Sequence, residues 1–87
     1  MLELYQHEAC EDSGLVRQKL SELGLSYVVH NPRKPGSLGG DVLNEQTYEQ
    51  MLAVGGEDRF PLFVDHRLGE VCFDEHEIVA YLDEHYR

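Results

Sequence analysis

Short strand-forming segments alternate with helical stripes along the whole chain, and this alternation limits the possible folds more than any other feature. Four segments of alternating or continuous apolar residues are predicted to be strands, at residues 2–5, 26–30, 60–64 and 70–73. The last two flank the turn-like sequence His66-Arg67-Leu68-Gly69, which predicts a hairpin. Because Pro61 has no backbone N–H, it must lie at the start of its strand or at a sheet edge.

Three segments carry apolar residues at helical spacing. The first covers residues 13–23 and ends at Gly24, the second runs from the cap residue Asn44 to Gly55-Gly56, and the third begins at Asp74. Their predicted buried stripes are Leu15, Val16, Leu20 and Leu23; Tyr48, Met51 and Leu52; and Ile78, Val79, Leu82 and Tyr86. The order β-α-β-α-β-β-α predicts a single α/β domain over residues 1–87, with a four-stranded mixed sheet and helices on both faces.

Charge and composition argue against several classes of function. The chain has 87 residues, 41% of them hydrophobic, and a net charge of −10. Such an acidic surface disfavours phosphate contacts, and therefore nucleic acids and anionic membranes as partners. No apolar run approaches the roughly 20 residues that cross a bilayer, and the N-terminus has no basic region, so a cytoplasmic location is expected. The glycine-rich residues 35–40 lack the Lys-Ser/Thr of a phosphate-binding loop, which disfavours nucleotide binding.

Cys10 stands between the first predicted strand and the first predicted helix, a place suited to thiol chemistry. The N–H groups and dipole at a helix start favour the thiolate, which is the reactive form. Glu11 and Asp12 follow directly and oppose a thiolate, although acids at this place also stabilise the helix itself. His7 would support a thiolate if protonated and would otherwise donate a hydrogen bond; a plain loop residue is the alternative.

The two cysteines indicate separate thiols. Cys10 and Cys72 lie far apart and have neither the spacing of a disulfide framework nor that of a zinc site, so no metal is expected. Ser13 lies three residues after Cys10 and cannot form a disulfide, which excludes a dithiol cycle at this motif. Cys72 lies in a predicted strand between Val71 and Phe73 and is expected to be a small buried hydrophobic residue.

The order of elements, with a cysteine at the first strand-to-helix junction and a proline opening the third strand, resembles the thioredoxin fold. The chain is most similar to glutaredoxins and to the N-terminal domain of glutathione S-transferases, over essentially its whole length. Cys10-Glu11-Asp12-Ser13 stands at the C-x-x-S active site and Arg59-Phe60-Pro61 at the T-V-P segment, while residues 73–82 are similar to the transferase pattern E-S-x-A-I-x-x-Y-L. The resemblance covers only the first domain of a full transferase and not its all-helical second domain, so a conjugating transferase is not expected from this chain alone.

The resemblance implies a monothiol glutaredoxin-like thiol–disulfide oxidoreductase. Cys10 would be the nucleophile of the C-x-x-S motif, with Ser13 and His7 completing the catalytic group. Glutathione or γ-glutamylcysteine would be the co-substrate, and a disulfide-bearing protein would be the second substrate. A monomer is expected.

The resemblance also implies a site for the small thiol. Pro61 would be cis, which leaves the backbone of Phe60 free to pair with the cysteinyl part of the thiol. Asp74 and Glu75 fall where the family binds the γ-glutamyl group. Families often place a base before T-V-P to meet the glycine carboxylate; here two acids stand there and only Arg59 is basic, which favours a thiol without glycine.

Two other functions stay open. The acids beside Cys10 and the altered basic positions favour a non-catalytic thioredoxin-fold binding module. A monothiol-type iron–sulfur carrier is the second alternative, although the usual Cys-Gly-Phe-Ser is absent. The acid-rich, lysine-poor composition is typical of halophilic proteins, which leaves a haloarchaeal source open beside ordinary acidic solubility.

Overall fold

The computed structural model describes residues 1–8, 10–35 and 40–87 of the chain. Within these ranges the elements are β1 (Leu2–Tyr5), α1 (Glu11–Glu22), β2 (Val28–His30), α2 (Glu45–Gly55), β3 (Leu62–Asp65), β4 (Glu70–Phe73) and α3 (Glu75–Tyr86). The predicted β-α-β-α-β-β-α order is confirmed. None of the helices in the described ranges combines the length and the apolar character that crossing a bilayer requires.

The described strands form one mixed sheet in the order β2-β1-β3-β4. β1 pairs in parallel with β2 and antiparallel with β3, so that Leu4 lies opposite both Val29 and Phe63. β4 returns antiparallel to β3. The C-terminal ends of β1, β2 and β4 therefore lie next to the N-terminal end of β3, along one edge of the sheet that runs across the strand ends. We call this edge the Cys10 edge, because Cys10 follows β1 there, and the opposite edge the Asp65 edge, because Asp65 ends β3 there.

Helices cover both faces of the sheet, as predicted. α1 and α3 pack on one face, where the buried core consists of Leu2, Leu4, Val16, Leu20, Phe63, Ile78 and Leu82. α2 packs on the other face, where Met51 meets Tyr5, Leu62 and Val64. β1 supplies both cores because successive side chains of a strand point to opposite faces.

The first helical stripe differs from its prediction at one position. α1 begins at Glu11, so that Ser13, Val16 and Leu20 form its buried face. These residues are spaced by three and four, and they turn Leu15 away from the sheet. Leu15 is 46% exposed and lines a groove between α1 and α3 together with Val79. Its predicted place in the core was wrong.

Two strands are shorter than predicted. β2 begins at Val28, and as an outer strand it leaves Val28 and Val29 exposed. β3 begins after Pro61, which cannot donate a ladder hydrogen bond. Residues 36–39, which include most of the glycine-rich stretch considered for phosphate binding, lie outside the described residues.

Close packing at Gly55 determines how α2 approaches the Cys10 edge. Asn44 caps the start of α2 with its side chain, and Gly56 ends the helix with a φ of 80°. A Cβ atom on Gly55 would lie 2.8 Å from Cζ of Phe73 and 2.9 Å from Cδ2 of Leu62. Only glycine therefore allows this approach without a shift of those side chains, and residues 57–61 lead from here to the start of β3.

Candidate functional site

Cys10 is the N-cap residue of α1 and lies at the Cys10 edge, between β1 and α1. Its backbone is extended (φ −98°, ψ 119°), and its Sγ accepts a hydrogen bond from the backbone N–H of Ser13 at 3.5 Å. The sulfur takes the place of the oxygen in a usual helix cap. Because free N–H groups at a helix start favour negative charge, this contact supports a thiolate.

The two acids after Cys10 belong to the first turn of α1. Glu11 and Asp12 are both exposed, whereas Cys10 itself is only 7% exposed. Water surrounds the two carboxylates and weakens their repulsion of charge on the sulfur. The N–H contact of Cys10 is buried and is weakened less.

An open cleft of about 450 Å³ lies beside Cys10. Residues after β1, after β2 and before β3 contribute its walls, because all three segments meet at the Cys10 edge. The lining residues are His7, Cys10, Asp12, Arg33, Asp58, Arg59 and Phe60. This volume lies within the range of roughly 300–1,000 Å³ that is usual for small-molecule sites.

His7 forms a buried part of the cleft wall. It is 3% exposed, and its ring meets the ring of Phe60 edge-on with 5.1 Å between centroids. Nδ1 of His7 is buried and has no hydrogen-bond partner among the described residues. Most buried polar atoms are hydrogen-bonded, so this nitrogen is an exception within the described residues.

Arg33 is a cleft residue that the sequence analysis missed. Its guanidinium donates hydrogen bonds to the carbonyl of Gly40 at 2.9 Å and to the carboxylate of Asp58. It also lies over the ring of Tyr48, 5.0 Å from the centroid. The hydrogen bond with Asp58 raises the pKa of Arg33. The available signal was its position just after β2, whose end meets the end of β1 in a parallel pair.

Arg59, Phe60 and Pro61 approach the cleft from the start of β3. The Phe60–Pro61 peptide bond is cis, which confirms that prediction. Phe60 and Arg59 line the cleft, whereas Pro61 is buried behind them. The guanidinium of Arg59 lies over the ring of Phe73, 5.1 Å from its centroid. Phe73 is the last residue of β4, so Arg59 connects the cleft with the start of α3.

Asp74 and Glu75 lie at the Cys10 edge but do not line the cleft beside Cys10. Asp74 is the N-cap of α3; its carboxylate accepts the N–H of His76 at 2.9 Å, and its φ is 73°. A positive φ is strained for a residue other than glycine. Glu75 has a mostly buried side chain and lines the groove between α1 and α3.

The remaining predicted residues lie behind the cleft. Ser13 is fully buried, its Oγ has no partner among the described residues, and only its backbone N–H reaches the sulfur.

Cys72 is half-buried rather than fully buried, packs against the core under α1 and α3, and forms no disulfide with Cys10. Burial, with help from nearby Glu70, raises the pKa of the Cys72 thiol. In the described ranges no three His, Cys, Asp or Glu side chains are grouped so that they could hold a metal ion.

A family model for the glutathione S-transferase N-terminal domain matches residues 4–87. The chain belongs to this family. A search of curated protein sequences finds no match for this transferase N-terminal domain.

Solved glutathione S-transferases share the fold of this transferase N-terminal domain. A diazinon-metabolizing enzyme from the silkworm Bombyx mori gives a TM-score of 0.72 at 18% identity, over 100% of this chain and 38% of the solved one. URE2P6 from Phanerochaete chrysosporium, solved with oxidized glutathione, gives 0.69 at 26% identity over 98% and 36%. Isozyme E7 from Drosophila melanogaster gives 0.72 at 24% identity over 99% and 35%. The chain therefore spans little more than a third of these transferases.

Proposed function

We propose that this transferase N-terminal domain is a single-cysteine thiol–disulfide oxidoreductase of the glutaredoxin type, acting as a monomer with one domain over residues 1–87. The observation that carries the proposal is the Sγ of Cys10, which accepts the N–H of Ser13 beside a cleft of about 450 Å³. Exchange by one nucleophile needs a supported thiolate and room for a small thiol next to it.

The proposed cycle has two exchange steps. The thiolate of Cys10 attacks the small-thiol sulfur of a mixed disulfide between a protein and a small thiol. A new disulfide forms on Cys10, and the protein sulfur leaves as a thiolate and takes up a proton. A second small thiol, as thiolate, then attacks the small-thiol sulfur on Cys10, which forms the small disulfide and releases the Cys10 thiolate. In total, the mixed disulfide and one small thiol become the protein thiol and the small disulfide. The electrons therefore balance without a further reductant.

Glutathione or γ-glutamylcysteine is the co-substrate that we propose. Membership of the transferase family supports it, and URE2P6 was solved with oxidized glutathione. The start of α3 can serve a γ-glutamyl group, because helix N–H groups favour a carboxylate and Asp74 or Glu75 can meet an ammonium group. Among the described residues no backbone hydrogen bond occupies the N–H of Phe60, which leaves it for the cysteinyl part of the thiol.

The first test is reduction of bis(2-hydroxyethyl) disulfide with each thiol as reductant. The Cys72→Ala variant should be active, and adding Cys10→Ser should reduce its rate to that of the reductant alone. Mass spectrometry should find the small thiol attached to Cys10. Undiminished activity after Cys10→Ser would overturn the proposal. A rate with γ-glutamylcysteine above that with glutathione would show which thiol the cleft prefers.

A non-catalytic binding module is the second candidate. The low exposure of Cys10, at 7%, and the acids that follow it favour this function. It predicts that iodoacetamide alkylates Cys10 no faster than it alkylates a free cysteine at the same pH. Faster alkylation would favour the oxidoreductase, because only a supported thiolate raises the rate.

A further inference from the structure

Gln6 directly follows β1 at the Cys10 edge, is fully buried, and has a partner for each polar atom of its side chain. Its Oε1 accepts a hydrogen bond from the guanidinium of Arg17 in α1. Its Nε2 donates to Oδ1 of Asn31, just after β2, at 2.9 Å and to the carboxylate of Glu8 at 3.4 Å. A buried amide is unfavourable unless it is hydrogen-bonded, so these partners fix where the amide lies.

The backbone of Gln6 extends the pairing of the sheet beyond β1. Its N–H donates to the carbonyl of His30, the last residue of β2, at 2.9 Å. The backbone therefore holds Gln6 to the sheet, while the side chain reaches α1 through Arg17 and the segment after β2 through Asn31. Gln6 thus connects the sheet with the helix that Cys10 caps.

The side chain of Arg17 reaches the first turn of α1. Cys10 and Arg17 are separated by about two helical turns, which places them on the same side of the helix. A Cβ atom on Gly14 would lie 3.7 Å from Nη2 of Arg17, so the side chain runs back toward the helix start. The N–H of Gly14 closes the first turn on the carbonyl of Cys10 at 3.0 Å. The guanidinium that Gln6 binds therefore lies beside the turn whose N–H groups support the sulfur.

The other contacts of α1 do not fix its start in this way. Val16 and Leu20 bury apolar surface against the sheet, and such contact is non-directional. The ion pair of Lys19 with Asp83, at 2.9 Å, connects α1 to α3 rather than to the sheet. The hydrogen bond of Arg17 with Gln6 is directional and connects the helix to the end of β1. This bond therefore sets how the first turn of α1 lies relative to the strand that leads to Cys10.

We propose that Gln6 is a positioning residue for the thiolate of Cys10. Through Arg17 it holds the first turn of α1, so that the N–H of Ser13 meets Sγ. Gln6 itself does not line the cleft. Because the carboxylate of Glu8 lies 4.0 Å from the guanidinium and offsets its charge, the contribution is one of geometry. This inference rests on the proposed function and specifies what keeps its nucleophile reactive: without the contact the first turn shifts, the share of thiolate falls, and exchange slows.

The test measures how fast iodoacetamide alkylates Cys10 in the Cys72→Ala background, at about pH 7 and at about pH 10. Gln6→Leu removes the amide without changing the charge and should slow alkylation at the lower pH at least about threefold. An ordinary thiol is mostly ionised at about pH 10, so the rates of the two proteins should become equal there. A role in general stability alone would not produce this dependence on pH. Circular dichroism verifies that each protein is folded at both pH values.

Three further variants separate position from charge. Arg17→Met should slow alkylation at about pH 7 as much as Gln6→Leu does, and the double variant should slow it no further, because both changes break one contact. The double variant replaces both partners by apolar side chains, so it should stay folded even where a single variant does not. Lys19→Met is the matched control: it removes the same charge from α1 and breaks the ion pair with Asp83, but it should leave the rate unchanged.

The outcomes separate this inference from the proposed function. If Cys10 in the Cys72→Ala protein reacts no faster than free cysteine at about pH 7, the proposed function fails and the positioning role fails with it. If Cys10 reacts faster but Gln6→Leu or the double variant keeps the full rate, only the positioning role is overturned. Equal slowing at both pH values, or equal slowing by Lys19→Met, also overturns it. Slowing that is confined to the lower pH and to the Gln6 and Arg17 variants supports both.

Discussion

The two edges of the sheet differ in whether particular buried polar side chains have hydrogen-bond partners. At the Asp65 edge, Asp65 is fully buried and its carboxylate accepts hydrogen bonds from the hydroxyls of Tyr81 at 2.8 Å and Tyr86 at 2.6 Å and from the N–H of Arg67 at 2.9 Å. At the Cys10 edge lie the buried side-chain atoms without a partner that the described ranges contain: the hydroxyls of Tyr5 and Ser13 and Nδ1 of His7.

This difference separates stability from ligand binding. A buried carboxylate with several donors fixes the hairpin to α3, because Tyr81 and Tyr86 come from the helix and Asp65 from the end of β3. Unpaired buried polar atoms lower stability, so their presence at one edge favours a role there other than holding the fold. We therefore expect the Asp65 edge to hold the fold and the Cys10 edge to serve the proposed function, and both expectations can be tested.

The largest expected effect is that of Asp65→Ala. Removal of the carboxylate leaves two tyrosine hydroxyls and a backbone N–H without their acceptor, so the free energy of unfolding should fall by roughly 3 kcal/mol. Asp65→Asn keeps one acceptor oxygen and should lose about half as much. Urea denaturation followed by circular dichroism measures both. Exchange by the folded protein should stay unchanged; a loss of stability below about 1 kcal/mol would contradict the structural role.

Acid should remove the same contribution without a mutation. Burial raises the pKa of Asp65, but hydrogen bonds from Tyr86 and Tyr81 lower it more, and the net pKa lies below its usual range. The folded state thus holds the proton less tightly than the unfolded state, so the stabilisation is complete above the unfolded pKa of about 4 and is lost as the pH falls further. The stability difference between wild type and Asp65→Asn should therefore be constant from about pH 7 to 5 and shrink below about pH 4. A constant difference down to pH 3 would contradict it.

The sequence predicted what depends on local spacing. The caps at Asn44 and Asp74 and the helix stops at Gly24 and Gly56 follow from short-range rules, and all four lie where the pattern indicated. Cys10 at the start of α1 follows from the same rules, although the helix begins two residues earlier than predicted.

The sequence did not predict side-chain contacts between segments that lie far apart along the chain. Arg33 and Asp58 meet only because the ends of β2 and the start of β3 share an edge, and no local pattern marks either residue as a partner. The same holds for Asp65 with Tyr86. Leu15 matched a helical stripe, but the tilt of α1 on the sheet decides which neighbouring residues are buried, and this tilt is a property of packing.

The packing of α2 gives an intermediate effect. Gly55→Ala places a Cβ 2.8 Å from Phe73 and 2.9 Å from Leu62, so stability should fall by about 1 kcal/mol although alanine is the better helix former. The matched control is Gly14→Ala in α1, whose Cβ would meet only a guanidinium nitrogen of Arg17 at 3.7 Å; it should raise stability by about 0.5–1 kcal/mol. Thermal unfolding of both variants measures the contrast. Because Arg59 lies over the ring of Phe73, Gly55→Ala should also slow thiol–disulfide exchange at Cys10. Equal stability of the two variants would show that the side chains of Phe73 and Leu62 accommodate the added Cβ without cost.

The smallest effect on stability should have the opposite sign to that of Asp65. His7→Leu removes a buried nitrogen that has no partner among the described residues, so the free energy of unfolding should stay unchanged or rise by up to about 1 kcal/mol, while exchange at Cys10 slows. Tyr5→Phe removes another unpaired polar atom at the same edge, but on the face covered by α2, and should leave exchange unchanged. Urea denaturation and the hydroxyethyl disulfide assay measure the two properties separately. A loss of 2 kcal/mol or more in His7→Leu would mean that Nδ1 has a structural partner such as an ordered water. In that case the Cys10 edge, like the Asp65 edge, would hold the fold with satisfied polar groups.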